Sequence, residues 1–124
     1  MCLTLKHSIT QDLKARTKNF TLDCLALCTK IPKSREFDSI VRQLIRSSSS
    51  VGANYRAANR AKSDRDFINK LKIVEEEADE SMFWLEILLE INLNNIENIK
   101  TLINESDELV AITVASIKTA RKRL

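Results

Sequence analysis

FDSIVRQLIRSSSSVGANYRAANRAK, residues 37–62, is the stretch whose reading decides the fold, because it reads as one helix with two faces of opposite chemistry. At roughly 100° per residue, Phe37, Ile40, Leu44, Ser48, Val51, Tyr55 and Ala58 share one narrow sector. Arg42, Arg46, Arg56 and Arg60 share another, about half a turn away. The first sector suits a core, and the second is a guanidinium stripe spread over about four turns. Arginines repeated on one face, with no Glu beside them, suit phosphates or acidic partner surfaces. The stretch therefore predicts a core helix that carries a binding surface and no reaction chemistry.

Outward from it, the composition agrees. A chain of 124 residues is one domain's worth, long enough to bury a core and too short for two. One Gly and one Pro among 44% hydrophobic and 30% charged residues leave too few turn-formers for a many-stranded sheet, so the fold class is all-α. The net charge of +3 is small, so any nucleic-acid binding must come from clustered charge. Cys2, Cys24 and Cys28 read as free thiols in a reducing compartment. No run approaches the roughly 18 apolar residues of a membrane span, and the first residues do not read as a secretory signal, so the expected location is cytoplasmic.

Helix one is expected over about residues 11–30, with Thr10 as its cap, Pro32 as its stop, and Ile9, Leu13, Phe20, Cys24, Leu27 and Ile31 as its apolar stripe. Ser34 offers the next cap, for a helix over about residues 35–61. Ser63 and Asp66 resemble a capping box and start helix three, over about residues 64–92. There Phe67, Leu71, Val74, Ala78, Met82, Leu85 and Leu89 form the core stripe, while Ile73, Trp84, Ile87 and Ile91 form a second apolar face. A second apolar face implies a second contact, so these four residues, with Glu77 and Glu80 flanking them, are the expected oligomer interface. Asn92, Asn94 and Asn95 break the chain before helix four, over about residues 96–122, where Ile96, Ile99, Ile103, Val110, Val114 and Ile117 mark the core. Four such helices with short connections predict an antiparallel up-down-up-down bundle in a single domain, residues 1–124. Within helix two, the run Ser47–Ser50 and Gly52 suggest a close approach by a neighbouring helix.

Catalytic readings fall away on inventory. A bundle-type carboxylate metal site needs Glu-x-x-His pairs, and the one histidine is His7, expected as a tail residue. Glu76 and Asp79 read as solvated, whereas Glu77 and Glu80 read as partners for an Arg or Lys of another helix or subunit. Cys24 and Cys28 lack a second pair to complete a zinc tetrahedron. No base accompanies the serines, and no Gly-rich loop cradles a nucleotide. The expectation is a protein that is not an enzyme, with no cofactor, no metal and no small-molecule substrate. The arginine stripe reads either as a solvated face or as a phosphate-binding surface, and Lys62, Arg65, Lys70 and Lys72 beyond it make that corner the most basic part of the chain. The nearest aromatic, Tyr55, points to the core, so base stacking is not expected.

Residues 46–58 (RSSSSVGANYRAA), followed by 60–63 (RAKS), 66–68 (DFI), 70–71 (KL), 74–81 (VEEEADES) and 84–86 (WLE), closely resemble a known family. They are similar to the bacterial four-helix bundle proteins encoded within intervening sequences of 23S ribosomal RNA genes, specifically over about Phe37 to Leu89. The resemblance implies a bundle assembling into a ring-like homopentamer. It also implies kinship with the accessory variability determinant (Avd) of diversity-generating retroelements, a basic pentamer that works with a reverse transcriptase and RNA. It brings no catalytic residues. If the nucleic-acid role carries over, Arg42, Arg46, Arg56, Arg60 and Lys62 are the residues that would contact structured RNA or a reverse transcriptase–RNA complex. The alternative is a protein-interaction scaffold without nucleic-acid binding, in which the same arginines pair with Glu77 and Glu80 of a neighbouring subunit.

Overall fold

The computed structural model describes residues 2–91 and 94–124, with side chains from residue 13 onward, and forms four helices: α1 (Cys2–Cys28), α2 (Arg35–Asn59), α3 (Asp64–Ile91) and α4 (Ile96–Arg121). Among the described residues there is no strand. Seven of the eight helix ends fall within two residues of their expected places, and at three of them the punctuation is local. Ser34 accepts a hydrogen bond from the Phe37 N–H at 3.0 Å and so caps α2. Ser63 accepts from the Asp66 N–H at 3.0 Å and opens α3. After α1, Pro32 cannot donate and disfavours the α region for Ile31, and the chain leaves the helix through a turn in which the Lys30 N–H reaches the Leu27 carbonyl at 2.9 Å. Asn95 takes the left-handed conformation (φ 62°) ahead of α4, a region that asparagine tolerates better than most residues.

The start of α1 corrects the sequence reading. The helix begins at Cys2, so Thr10 is not its cap. Residues 2–10 hold no Gly or Pro, and nothing forces a boundary where a capping residue happens to stand. The side chains of Cys2, His7 and Ile9, and the structure of Asn92, lie outside the described residues.

Each helix packs on its sequence neighbours, and α1 closes the circle on α4. The directions follow from paired residues. Thr21 meets Ser48 while Thr17 lies against Gly52, so α1 and α2 run antiparallel. Residues 60–63 are all that join α2 to α3, which packs back along it with Ser47 meeting Ser81 and Arg46 meeting both Glu77 and Glu80, and Arg123 beyond the end of α4 meets Asp64 at the start of α3. The fold is thus a four-helix bundle of the expected up-down-up-down kind.

The core holds Phe20, Leu27, Leu44, Val51, Leu71, Val74, Leu85, Leu88, Ile99 and Leu109 at full or nearly full burial. The stripe on α3 is rotated from the expected one. Ile68, Ser81 and Leu88 are buried, whereas Phe67, Met82 and Leu89 are only half-buried. On α4, Leu102, Ser106, Leu109, Thr113 and Ala120 are buried, while Ile103, Val110 and Val114 are partly so and Ile96 is exposed. Each of these helices packs on two neighbours, so its buried sector is wide and its centre depends on which neighbour comes closer. Close approach selects small residues at the contact, and their hydroxyls are satisfied locally: Ser106 donates to the Ile103 carbonyl at 2.8 Å and Thr113 to that of Leu109 at 2.6 Å.

The serine run of α2 does the same on both sides. Ser81 donates to Ser47 at 2.8 Å on the α3 side, with both hydroxyls fully buried. On the α1 side, Thr21 donates to the Ser48 carbonyl at 2.6 Å. A Cβ added at Gly52 would lie 3.0 Å from Thr21 Oγ1 and 3.4 Å from the Thr17 carbonyl oxygen, so this glycine lets α1 approach α2 closely.

Candidate nucleic-acid interface

Beyond the exposed Asp38, which stands one turn before Arg42, the outer face of α2 carries charge of one sign. Between Ser39 and Ser63 the sequence has no Asp or Glu, and Arg42, Arg46, Arg56, Arg60 and Lys62 all fall in this interval. All five are exposed, the first three on α2 and the last two in the turn to α3. Among the described residues, Arg42, Arg56, Arg60 and Lys62 form no ion pair. Arg16, Arg35, Arg46 and Arg123 each do.

Arg46 therefore differs from the rest of the stripe. Its Nη1 donates to Glu77 Oε2 at 3.2 Å and its Nη2 to Glu77 Oε1 at 3.2 Å and to Glu80 Oε2. The two carboxylates, Glu77 first, hold the guanidinium in its charged form. Glu80 in turn accepts from the Trp84 indole N–H at 3.1 Å, and this bond, followed by Arg46, lowers its pKa below the ordinary carboxylate value. Glu77 and Glu80 thus find their arginine on another helix of the same chain. Sector geometry groups Arg46 with Arg42 and Arg60, but it lies on the α3 flank of the stripe, and a sequence does not show which flank a neighbour occupies.

Arg56 lies on the opposite flank. It faces a groove of about 630 Å³ between α1 and α2, which Lys14 and Lys18 of α1 also line, above Ser49, Gly52 and Ala53 of α2. Lys14 and Lys18 were not among the expected site residues; their spacing of four on one helix was the available signal. At the other seam, Arg16 forks onto Glu105 at 3.0 and 2.6 Å and onto Glu108 at 2.9 Å, tying α1 to α4.

The second apolar face of α3 divides. Ile73, Trp84 and Ile87 are half-buried, and Trp84 packs on the core, whereas Ile91 remains 48% exposed. Phe83, which no periodicity marked, is 51% exposed and meets Trp84 edge-on with ring centroids 4.9 Å apart. Cys24 is buried and Cys28 half-buried, and burial pushes their thiols up to about 12 and about 11. Among the described residues no group of three or more His, Cys, Asp and Glu is placed to hold a metal, and no helix is long and apolar enough to cross a membrane.

A four-helix bundle of this kind matches a known class. The model of the 23S rRNA-intervening sequence protein family matches residues 10–115, and the chain belongs to that family. It is similar to a crystal structure of a protein with unknown function from the S23 ribosomal protein family of Bacteroides thetaiotaomicron VPI-5482, at 32% identity over 86% of this chain and 98% of that one, with a TM-score of 0.78. No curated protein matches the chain.

Proposed function

We propose that this protein is a non-enzymatic, homo-oligomeric RNA-binding bundle that holds structured RNA through the outer face of α2 and serves as accessory to a larger RNA-handling machine, such as a reverse transcriptase. One observation carries the reading: Arg42, Arg56, Arg60 and Lys62 are exposed on a carboxylate-free interval and form no ion pair among the described residues. Cations that pair with no side chain are free to exchange counterions for phosphates. With Tyr55 buried, the face offers no ring for stacking, so it reads backbone and shape rather than base sequence. The cytoplasm is where such a protein with free thiols belongs.

The assembly is proposed as a ring of five copies, as in the related accessory proteins, and the exposed Phe83 and Ile91 beside Trp84 support an apolar contact between copies. The same apolar surface favours the second reading, a protein scaffold that binds no nucleic acid.

The test is a fluorescence-anisotropy titration against a labelled RNA hairpin and a matched DNA duplex at about 50 and about 200 mM salt. Salt-sensitive binding that favours RNA and is lost in Arg42→Glu with Arg60→Glu supports the proposal. Absence of binding at the lower salt overturns it in favour of the scaffold.

A further inference from the structure

The stripe on α2 is one bank of a larger feature. Across the groove of about 630 Å³ stand Lys14 and Lys18 of α1, opposite Arg56 of α2. All three are exposed, and none forms an ion pair among the described residues. The run Leu13–Leu22 has no Asp or Glu, as Ser39–Ser63 has none, so both walls of the groove are free of carboxylates. One cation in this run, Arg16, points away to α4 and is consumed by Glu105 and Glu108. The sequence thus separates a structural arginine from two lysines left for another partner.

The floor fits the same partner. Ala53 on this floor is exposed and adds only a methyl, so an anion can come down to the surface of α2 beside it, while Gly52 is covered from the α1 side by Thr21 and the Thr17 carbonyl. Ser49 on this floor is half-buried, and its hydroxyl has no hydrogen-bond partner among the described residues, which leaves it as a donor. Thr21, by contrast, has spent its hydroxyl on the Ser48 carbonyl. Lys14 and Lys18 are one turn apart, about 6 Å along the axis, which is close to the separation of successive phosphates on a nucleic-acid strand. A single small anion would use one of them, and a strand would use both.

We propose that the groove between α1 and α2 is a subsite for the phosphodiester backbone of RNA, with Lys14 and Lys18 holding successive phosphates from one wall and Arg56 from the other. This rests on the RNA-binding reading above and extends the site onto a helix that reading does not use. Because no ring lines the groove except the buried Tyr55, binding there is independent of base sequence.

The test compares four double or single variants with the wild type in anisotropy titrations of a labelled RNA hairpin, each checked for unchanged helicity. Lys14→Ala with Lys18→Ala is expected to weaken binding about tenfold at about 50 mM salt and to make the slope of log affinity against log salt shallower by about 2. Ala53→Glu, which sets a carboxylate on the exposed floor, is expected to weaken it in the same direction. Lys100→Ala with Lys118→Ala, on the exposed face of α4, is expected to leave affinity unchanged. If the groove lysines behave like the α4 control while Arg42→Ala with Arg60→Ala weakens binding, the subsite is overturned and the RNA-binding reading stands. A loss of affinity with an unchanged salt slope also overturns it, since phosphate contacts must alter that slope. If the wild-type protein shows no salt-sensitive RNA binding, both fall together.

Discussion

Arg46 Nη1 lies 3.2 Å from Glu77 Oε2 on the neighbouring helix, and through this pair the α2–α3 contact withdraws one arginine from the basic stripe. The pair is partly exposed, with Arg46 at 49% and Glu77 at 19% side-chain accessibility, so its value to stability is small, below about 1 kcal/mol. Its effect on charge is larger than its effect on folding.

Releasing Arg46 should therefore strengthen RNA binding. In Glu77→Gln with Glu80→Gln the neutral amides keep the shape of the contact and retain an acceptor for the Trp84 indole, but no longer cancel the guanidinium. We expect hairpin affinity at about 50 mM salt to rise several-fold and the salt slope to steepen by about 1, with stability altered by less than about 1 kcal/mol. An unchanged slope in this variant would count against the α2 face as the RNA contact.

Gly52 should resist even the smallest side chain. An Ala in a helix interior normally gains up to about 1 kcal/mol over Gly. Here the new methyl would stand 3.0 Å from Thr21 Oγ1, which is held by its 2.6 Å bond to Ser48, and 3.4 Å from a backbone oxygen. We expect Gly52→Ala to destabilise by about 1 kcal/mol and Gly52→Leu by about 3, read as shifts in the urea midpoint. In a Thr21→Ala background the Gly52→Ala change should become neutral or stabilising. A stabilising Gly52→Ala in the wild type would mean that α1 yields at this contact.

How much of this could be read beforehand depends on what each residue's role needed as information. Ser34 and Ser63 were legible because a cap is decided within a few residues. The close approach at Gly52 was legible because a glycine inside a helical pattern demands a reason. The phase of the α3 stripe was not, since Ser81 rather than Met82 is buried only because Ser47 stands opposite it. The start of α1 was missed because a capping residue at Thr10 is permissive, and nothing upstream breaks the helix. For the candidate site, the face of α2 was visible as a sector, but the division of its arginines into paired Arg46 and unpaired Arg42, Arg56 and Arg60 depends on which helix flanks which side. Lys14 and Lys18 escaped notice for the same reason, being separated from Arg56 by the chain and joined to it by the fold.

Phe83 should be the most informative position for assembly. Trp84 is held within its own chain by Glu80 and the core, so its replacement would perturb the monomer as well. Phe83 is 51% exposed and fills no core space. If copies associate through this surface, Phe83→Glu should convert the assembly to monomer in sedimentation experiments at micromolar concentration while helicity and melting are kept. An unchanged sedimentation coefficient would place the contact elsewhere on the bundle.

The thiols should make stability fall on the alkaline side. Burial raises Cys24 to about 12 and Cys28 to about 11, above the value of about 8.5 for a thiol in an unfolded chain. A raised acid is neutral in the folded state while its unfolded counterpart ionises. Its contribution is therefore complete below about pH 8.5 and is lost as pH rises through the folded values. Tyr55, also raised by burial, acts in the same direction at higher pH. The urea midpoint should drop between pH 8 and 10, and the drop should be smaller in Cys24→Ala with Cys28→Ala, whatever that variant loses at pH 7 through the cavity at Cys24. Labelling supplies an independent check in a Cys2→Ser background. A thiol-specific reagent at pH 8 should reach Cys28 before the fully buried Cys24, and both far more slowly than the denatured protein. Equal rates at the two positions would mean that α1 opens from α2 faster than the reagent reacts.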